Sequence, residues 1–554
     1  MGQGENMSTN SESYNEKIST SKFSRRHFIK GAAATGVGAG LLGLAACGGD
    51  DAATSDSADA VVQGGTLRVA IGKIANAPTP FSTNDAGSLQ ILANVGEYLS
   101  WSNEKGELVP RVAESWKASE GGKVWTFKIR EGITFHDGSP LTADDVVWTF
   151  TSHLDPANES TQAGKFAGIL EAAGVKKVDD FNVEFTLLAA VGTFPFLVGG
   201  TSYGLLMIKN GESGGPTWET TMNGCGPYVL ESYTKGDRAT FTKNPNYWDQ
   251  TRQPNFDSLV TISFESQESA LAQILTGELD ATTGLSGAAA AKVDPTQIDL
   301  VNVASVGHLM VHMRCDFGPW STDKRIRQAA ALSLDRAGFL EGVLKGYGTI
   351  GNDNVMDPFT TADKTVPQRA FDLAAAKELM AAAGSTGFQV DLSTYHRDDI
   401  DLLAPFLKSS WAELGVDLNL DTISDSYYTE PWNANDAKQQ ESHFWLESNC
   451  GITEFGHRGA PAEYLTRVFR SNGDWNAAHV KDADLDAAID AYNTATSLDD
   501  AKVASKKIQE LSLDLSAYII AYFEVRTSAV RKGLTGFYTN GMGQFDAAAA
   551  AATA

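Results

Sequence analysis

The stretch Val124-Trp125-Thr126-Phe127-Lys128-Ile129-Arg130-Glu131-Gly132-Ile133-Thr134-Phe135-His136-Asp137-Gly138-Ser139-Pro140-Leu141-Thr142-Ala143-Asp144-Asp145-Val146 decides the fold class. Residues 124–129 alternate apolar and polar, the period of a half-buried strand. Asp137-Gly138 and Ser139-Pro140 carry turn chemistry. Thr142 is placed as a helix N-cap, with Asp144 and Asp145 in the first turn, where the helix dipole favours negative charge. Val146, Val147 and Phe150 then give that helix an apolar face. A strand, a turn and a capped helix follow one another without a gap.

The same alternation extends outward. Gly64-Gly65 opens a first strand over 66–70, and further strands are expected at 183–187, 228–233, 239–243 and 416–420. Helical spacing marks 268–277, 324–331, 373–383 (stopped by Gly384), a helix ending at 411–415, and 484–491 and 501–513. Strands alternating with helices define an α/β chain. No repeat of fixed period is present. The Ala-rich end, 547–554, is expected to be a disordered tail.

Charge divides the chain into a leader and a body. The 554 residues carry a formal net charge of -25. Five of the basic residues (Lys17, Lys22, Arg25, Arg26 and Lys30) lie before Ala46 with only Glu5, Glu12 and Glu16, so the remainder stands at about -27. An acidic body argues against nucleic acid as partner, because phosphate recognition needs a basic surface. At roughly 150 residues per domain the length allows three or four domains or lobes.

Residues 1–46 read as an address. Ser24-Arg25-Arg26-His27-Phe28-Ile29-Lys30 resembles a twin-arginine export signal. The uncharged run 31–46 is shorter than the ~20 residues of a membrane span. It ends in Leu44-Ala45-Ala46-Cys47-Gly48-Gly49, which resembles a lipobox with Cys47 as the lipidated residue. Residues 47–63 are expected to be a flexible tether to the membrane. No later apolar run is long enough to span a bilayer, so a soluble body is expected. Cys225, Cys315 and Cys450 leave two readings open, three reduced thiols or one disulfide with a free thiol.

Five blocks recur in a recognisable order: Leu108-Val109-Pro110-Arg111-Val112-Ala113-Glu114-Ser115-Trp116 with the stretch quoted first; Gly226-Pro227-Tyr228 with Asn244-Pro245-Asn246-Tyr247-Trp248; Gly277-Glu278-Leu279-Asp280; Asp323-Lys324-Arg325-Ile326-Arg327-Gln328-Ala329 with Asp335-Arg336; and 372–384. Together they resemble the family 5 substrate-binding proteins of bacterial ABC transporters, the peptide/nickel-type extracellular solute-binding proteins. The resemblance implies a two-lobed periplasmic-binding-protein-like fold of type II with an inserted extra subdomain. It places lobe I at 64–98, 220–308 and 518–546, the inserted subdomain at 99–219 and lobe II at 309–517. It also implies a lipoprotein on the outer side of the cell membrane that captures a small solute, a peptide first, by hinge closure. Its partners would be permease subunits and, through them, ATPases; no cofactor and no enzymatic activity are implied. The chain has no G-x-x-x-x-G-K-[ST] loop and is not itself the ATPase. A solute-binding sensor, or an importer component for an oligosaccharide or a nickel chelate, are the alternatives.

The resemblance also directs attention to particular side chains. Peptide binders of the family hold the ligand ammonium with an Asp after a Trp. Here the similar stretch reads Trp445-Leu446-Glu447-Ser448, with Ser448 in the Asp place and Glu447 beside it. Glu447 is the candidate for that negative charge, Trp445 and Trp432 are the expected aromatic walls, and Arg314 and Asp316, flanking Cys315, are read either as ligand contacts, the arginine pairing a ligand carboxylate, or as a structural ion pair at the lobe junction. His308 and His312 share one face of an expected strand, about 13 Å apart at ~3.3 Å per residue, so no metal site is expected there. Gly211-Glu212-Ser213-Gly214-Gly215 matches G-x-S-x-G, but the Pro216 that follows makes it a surface loop, and no catalytic residue is assigned.

Overall fold

The alternating stretch 124–129 is a strand whose burial alternates, and the sheet around it is the smaller of two that position everything else. The structure is a computed structural model and describes residues 61–103, 105–423 and 445–553. In chain order the elements used below are β1 (Thr66–Ile71), α1 (Ala86–Val95), β2 (Ala113–Ser119), β3 (Val124–Ile129), α2 (Ala143–Leu154), β4 (Val175–Asp179) and β5 (Asn182–Thr186). They continue with β6 (Tyr228–Thr234), β7 (Arg238–Lys243), β8 (Ser258–Ser263), α3 (Leu271–Thr276), β9 (Ala281–Leu285) and β10 (Ile298–Met313). The second half holds α4 (Lys324–Leu332), α5 (Arg336–Gly342), α6 (Leu373–Ala382), β11 (Phe388–Tyr395), α7 (Ile400–Ala412) and β12 (Val416–Ile423). It ends with β13 (Cys450–Phe455), α8 (Ala483–Thr494), α9 (Leu498–Leu515) and β14 (Tyr522–Arg531).

The large sheet runs β12-β11-β13-β10-β14-β9-β1-β8-β7-β6. Its outer parts each contain parallel pairs, β11 with β12 and β1 with β8 and β9, while the centre is antiparallel. The centre is built from two long strands: β10 spans 16 residues and β14 spans 10. They pair from Ile298↔Arg531 to Ala304↔Val525, slip register, and meet again at His308↔Phe523. The chain therefore passes from one half of the sheet to the other through a continuous ladder with a kink at 305–307.

Among the described residues a small apolar core (Ile274, Leu279, Leu285, Ile298 and Ala529) packs on this ladder, and three larger ones complete the body. One gathers Leu67, Val69, Ile91, Phe241 and Leu259 with Phe537 and Phe545 from the far end of the chain. A second lies under the antiparallel sheet β2-β3-β5-β4, where Phe127, Phe150, Phe185 and Phe194 meet ring to ring. The third, on the β11–β13 side, holds Met310, Trp320, Leu392, Trp411, Ile452 and Ile508. α2 starts where the sequence places it: the Thr142 amide donates to Asp145 Oδ2 at 2.7 Å, closing the first turn.

A sealed cluster of charges ties the first two cores together. Arg111 Nη2 lies 3.3 Å from Asp546 Oδ2, and Arg252 Nη2 2.7 Å from the same carboxylate. Glu97 accepts a hydrogen bond from the Tyr247 hydroxyl and stands 3.5 Å from Arg252 Nη1. The Arg111 guanidinium also lies over the Trp101 ring, 5.5 Å from its centroid. Burial pushes the Glu97 carboxyl up to about 7, against the opposing pull of Arg111.

The expected disordered tail is corrected by this cluster. Asp546 anchors the end of the chain from inside, the Ala547 amide donates to Asn94 Oδ1 at 2.8 Å, and Asn255 donates to the Ala550 carbonyl at 3.0 Å. Residues 551–553 then pair with 61–62 and 534–535. Alanine lacks side-chain contacts of its own, but its backbone is as good a hydrogen-bond partner as any other. Cys225, Cys315 and Cys450 are free thiols.

Candidate ligand cavity at the central strands

At the kink of β10 the chain reads Ser305-Val306-Gly307. A Cβ on Gly307 would lie 2.7 Å from Glu524 Oε2, so glycine there leaves room for a carboxylate brought in by β14. The Val306 amide donates to His457 Nδ1 at 3.2 Å. An accepting Nδ1 requires an imidazole free of a proton on that nitrogen. Burial, with Arg526 and Arg458 nearby, pushes His457 down to about 3, in keeping with a neutral ring.

Beside this kink opens a cavity of about 500 Å³. Its walls come from both sides of the central strands: Gly284–Ala288 at the end of β9, Val343, Leu344, Lys345 and Tyr347 after α5, and Arg397, Asp398, Asp399 and Leu402 from the end of β11 into the first turn of α7. β14, from Tyr522 to Thr527, forms its floor. A volume of this size is typical of small-ligand sites.

Arg397 organises the charges. Its Nη1 lies 2.7 Å from Glu454 Oε2, Nη2 2.8 Å from Glu524 Oε1, and Nε 2.9 Å from Asp399 Oδ1. Burial works against its charge, but Glu454, Asp399 and Glu524 more than offset it and hold its pKa above the ordinary arginine value. Burial raises the Asp399 carboxyl, with Arg397 opposing. Asp399 also accepts from the Ile400 amide at 3.0 Å and from the Tyr522 hydroxyl at 3.2 Å, which fixes it at the start of α7. Arg526 donates to the Gly541 carbonyl at 3.3 Å and stands 3.6 Å from Glu524. Among the described lining residues there is no Trp, Asn, Gln, His or Cys. Fixed charges of both signs beside apolar side chains suit a small ligand that is itself charged at both ends.

The side chains singled out from the sequence lie elsewhere. Arg314, Asp316 and Glu447 do come together: Arg314 Nε is 2.7 Å from Asp316 Oδ1 and Nη1 3.0 Å from Glu447 Oε2. His479 joins them, 3.2 Å from Asp316 Oδ2. This cluster follows the end of β10, about 20 Å beyond Gly307 at ~3.3 Å per residue, and does not line the cavity. Trp445 is 1 % exposed and packs edge-on to Phe455 in the third core. Ser448 is hydrogen-bonded to His312 at 3.0 Å. His308 and His312 do lie on one strand, as read from the alternation. Trp432 and Cys47 lie outside the described residues.

The residues missed were Arg397, Asp399, Glu524 and Arg526. One signal was available for the first two: His396-Arg397-Asp398-Asp399 directly follows β11, and in open α/β sheets ligands bind beyond the carboxyl ends of strands.

The antiparallel-sheet subdomain and the α8–α9 turn meet at a second, uncharged contact. The Gly192 amide donates to the Asn493 carbonyl at 2.8 Å, and a Cβ on Gly192 would fall 1.6 Å from the Ala495 carbonyl oxygen. Only glycine permits that approach of two backbones.

Comparison with known proteins places these features. The profile of the "Bacterial extracellular solute-binding proteins, family 5 Middle" matches residues 107–449, and that of the twin-arginine translocation pathway signal sequence matches residues 22–41. The heme-binding protein A of Haemophilus influenzae is 26% identical over 493 residues, covering 81% of this chain and 86% of its own. The periplasmic oligopeptide-binding protein OppA of Salmonella typhimurium is 25% identical over 473 residues, covering 80% and 84%. Among solved structures, the unliganded open form of the periplasmic murein tripeptide-binding protein MppA superposes with a TM-score of 0.78 at 21% identity, over 90% of this chain and 99% of that one. The two-lobed periplasmic-binding-protein architecture is thereby shown, and the signal places the body outside the cytoplasm.

Proposed function

Because the chain belongs to the family 5 bacterial extracellular solute-binding proteins, whose profile covers more than half of it, we propose that it binds a short peptide in the cavity beside the central strands and delivers it to an ABC permease. The observation that carries this reading is the cavity's composition. It is walled from both sides of the β10–β14 ladder, and Arg397, Arg526 and Lys345 face it together with Asp398, Asp399 and Glu524. A zwitterion answers that pairing of charges. A peptide fits better than an oligosaccharide, because the described lining offers neither an indole to stack on a sugar ring nor an amide to bond its hydroxyls. It fits better than a nickel chelate, because no imidazole or thiol faces the space.

On this reading the chain works by binding and not by chemistry. Closing the two halves about the kinked ladder makes contacts to the ligand that the separated halves lack, and the ligand shifts the equilibrium by that difference. We assign the permease subunits and their ATPases as partners on the strength of family membership. Cys47, after its run of small residues, is the proposed lipid attachment point.

Native mass spectrometry of the purified chain, with the bound ligand released and sequenced, tests the ligand class. A co-purified peptide supports the reading. A sugar, a metal complex or a sterol-like molecule in its place overturns the peptide assignment. Metabolic labelling with a radioactive fatty acid tests the anchor: label retained in Cys47→Ser would remove that residue from the role.

A further inference from the structure

The ligand cavity has a wall that its charges leave unused. Val343 and Leu402 line it, yet they are 37% and 43% exposed, and Leu344 lies beside them only partly buried. Single exposed apolar residues are ordinary on a protein surface, but three on the wall of a concave site form a patch that a ligand can cover. The charged side of the cavity is also incomplete. Among the described residues Asp398 has no hydrogen-bond or ion partner, and Lys345 donates only to the Gly342 carbonyl, at 2.6 Å. Arg397, by contrast, is already engaged by three carboxylates, which fix its place in the wall.

Resting on the reading above that this cavity holds a peptide, we infer that it selects short peptides carrying an apolar side chain. That side chain covers Val343, Leu344 and Leu402, while the unpaired Asp398 carboxylate and Lys345 ammonium serve the charged ends of the ligand. The patch belongs to one side of the cavity, the α5 and α7 termini, so it engages the ligand independently of the loop after β9. Specificity then comes from shape and burial on one wall and orientation from charge on the other.

The test is calorimetric titration of the purified full chain, dialysed free of carried-over ligand, with Leu-Leu, Ala-Ala, Ser-Ser, Asp-Asp and Lys-Lys. Leu-Leu is expected to bind about tenfold or more tighter than Ser-Ser, the order of effect for burying a leucine side chain. In Leu402→Asp, and separately in Val343→Asp, the ratio of the two affinities is expected to collapse toward one. Both side chains are partly in solvent, and an unchanged melting temperature verifies that each variant is folded. Equal affinity for all five dipeptides, or a Leu-Leu preference that survives both substitutions, overturns the apolar selection while leaving peptide binding in place. Binding of none of the five overturns the peptide reading itself.

Discussion

Arg111 and Arg397 each gather carboxylates, and they teach opposite lessons. Arg111 is 7% exposed among Glu97, Asp546 and Arg252, with a tyrosine hydroxyl and an indole completing its surroundings. Arg397 is 29% exposed and its three carboxylate partners stand around an open space of about 500 Å³. The first cluster joins segments separated by more than 400 residues and is mostly buried, with Arg111, Glu97 and Asp546 each under 10% exposed. The second holds the wall of a cavity in place. An arginine among acids is therefore not in itself a site; the empty volume beside it makes the difference.

The largest effect that sharpens this contrast is expected from Arg111→Ala. Removing one partner of a buried ionic cluster strands the others, at a cost of about 3–5 kcal/mol. Urea unfolding of the variant should show that loss, with ligand affinity of the remaining folded fraction unchanged. Arg397→Ala should show the reverse: a smaller loss of stability, and a peptide affinity reduced on the order of 30-fold, within the range for truncating one member of a hydrogen-bonded charge cluster at a binding surface. If Arg397→Ala unfolds the protein as severely as Arg111→Ala and spares affinity, the contrast collapses.

A smaller, pH-dependent effect is expected from Glu97→Gln. The carboxyl of Glu97 is raised by burial to about 7, above its value in an unfolded chain. The folded protein thus holds a proton that the unfolded chain has already released between about pH 4.3 and 7. The stabilising contribution of this group is full below that window and is lost as pH rises through 7. In the glutamine variant the loss is absent. The melting temperature of the variant relative to the parent should rise by a few degrees across the window, and a flat difference would refute the assignment of the titration to Glu97.

The two clusters also mark how far the sequence could be read. α2 was legible because Thr142 and Asp145 sit three residues apart and decide the matter locally. Arg314 and Asp316 could be paired for the same reason. Glu524 and Arg397 could not, because 127 residues separate two groups that only the sheet order brings together. Trp445 looked like a wall, but whether an indole faces a ligand or a core depends on burial, and burial is a property of the assembled cores. The chain end misled for a related reason: its alanines carry no pattern, and the asparagines that pin it, Asn94 and Asn255, are far away in sequence.

The glycine contact between Gly192 and Asn493 bears on how the protein answers to salt. Capture of a charged solute by an acidic protein is governed by long-range fields, which dissolved salt screens over ~10 Å at 0.1 M. The Gly192 amide and Asn493 carbonyl carry no net charge and touch at hydrogen-bond distance, so salt leaves their attraction nearly untouched. Ionic strength therefore acts on the long-range field of the acidic body and leaves this backbone clasp between the antiparallel-sheet subdomain and the α8–α9 turn in place.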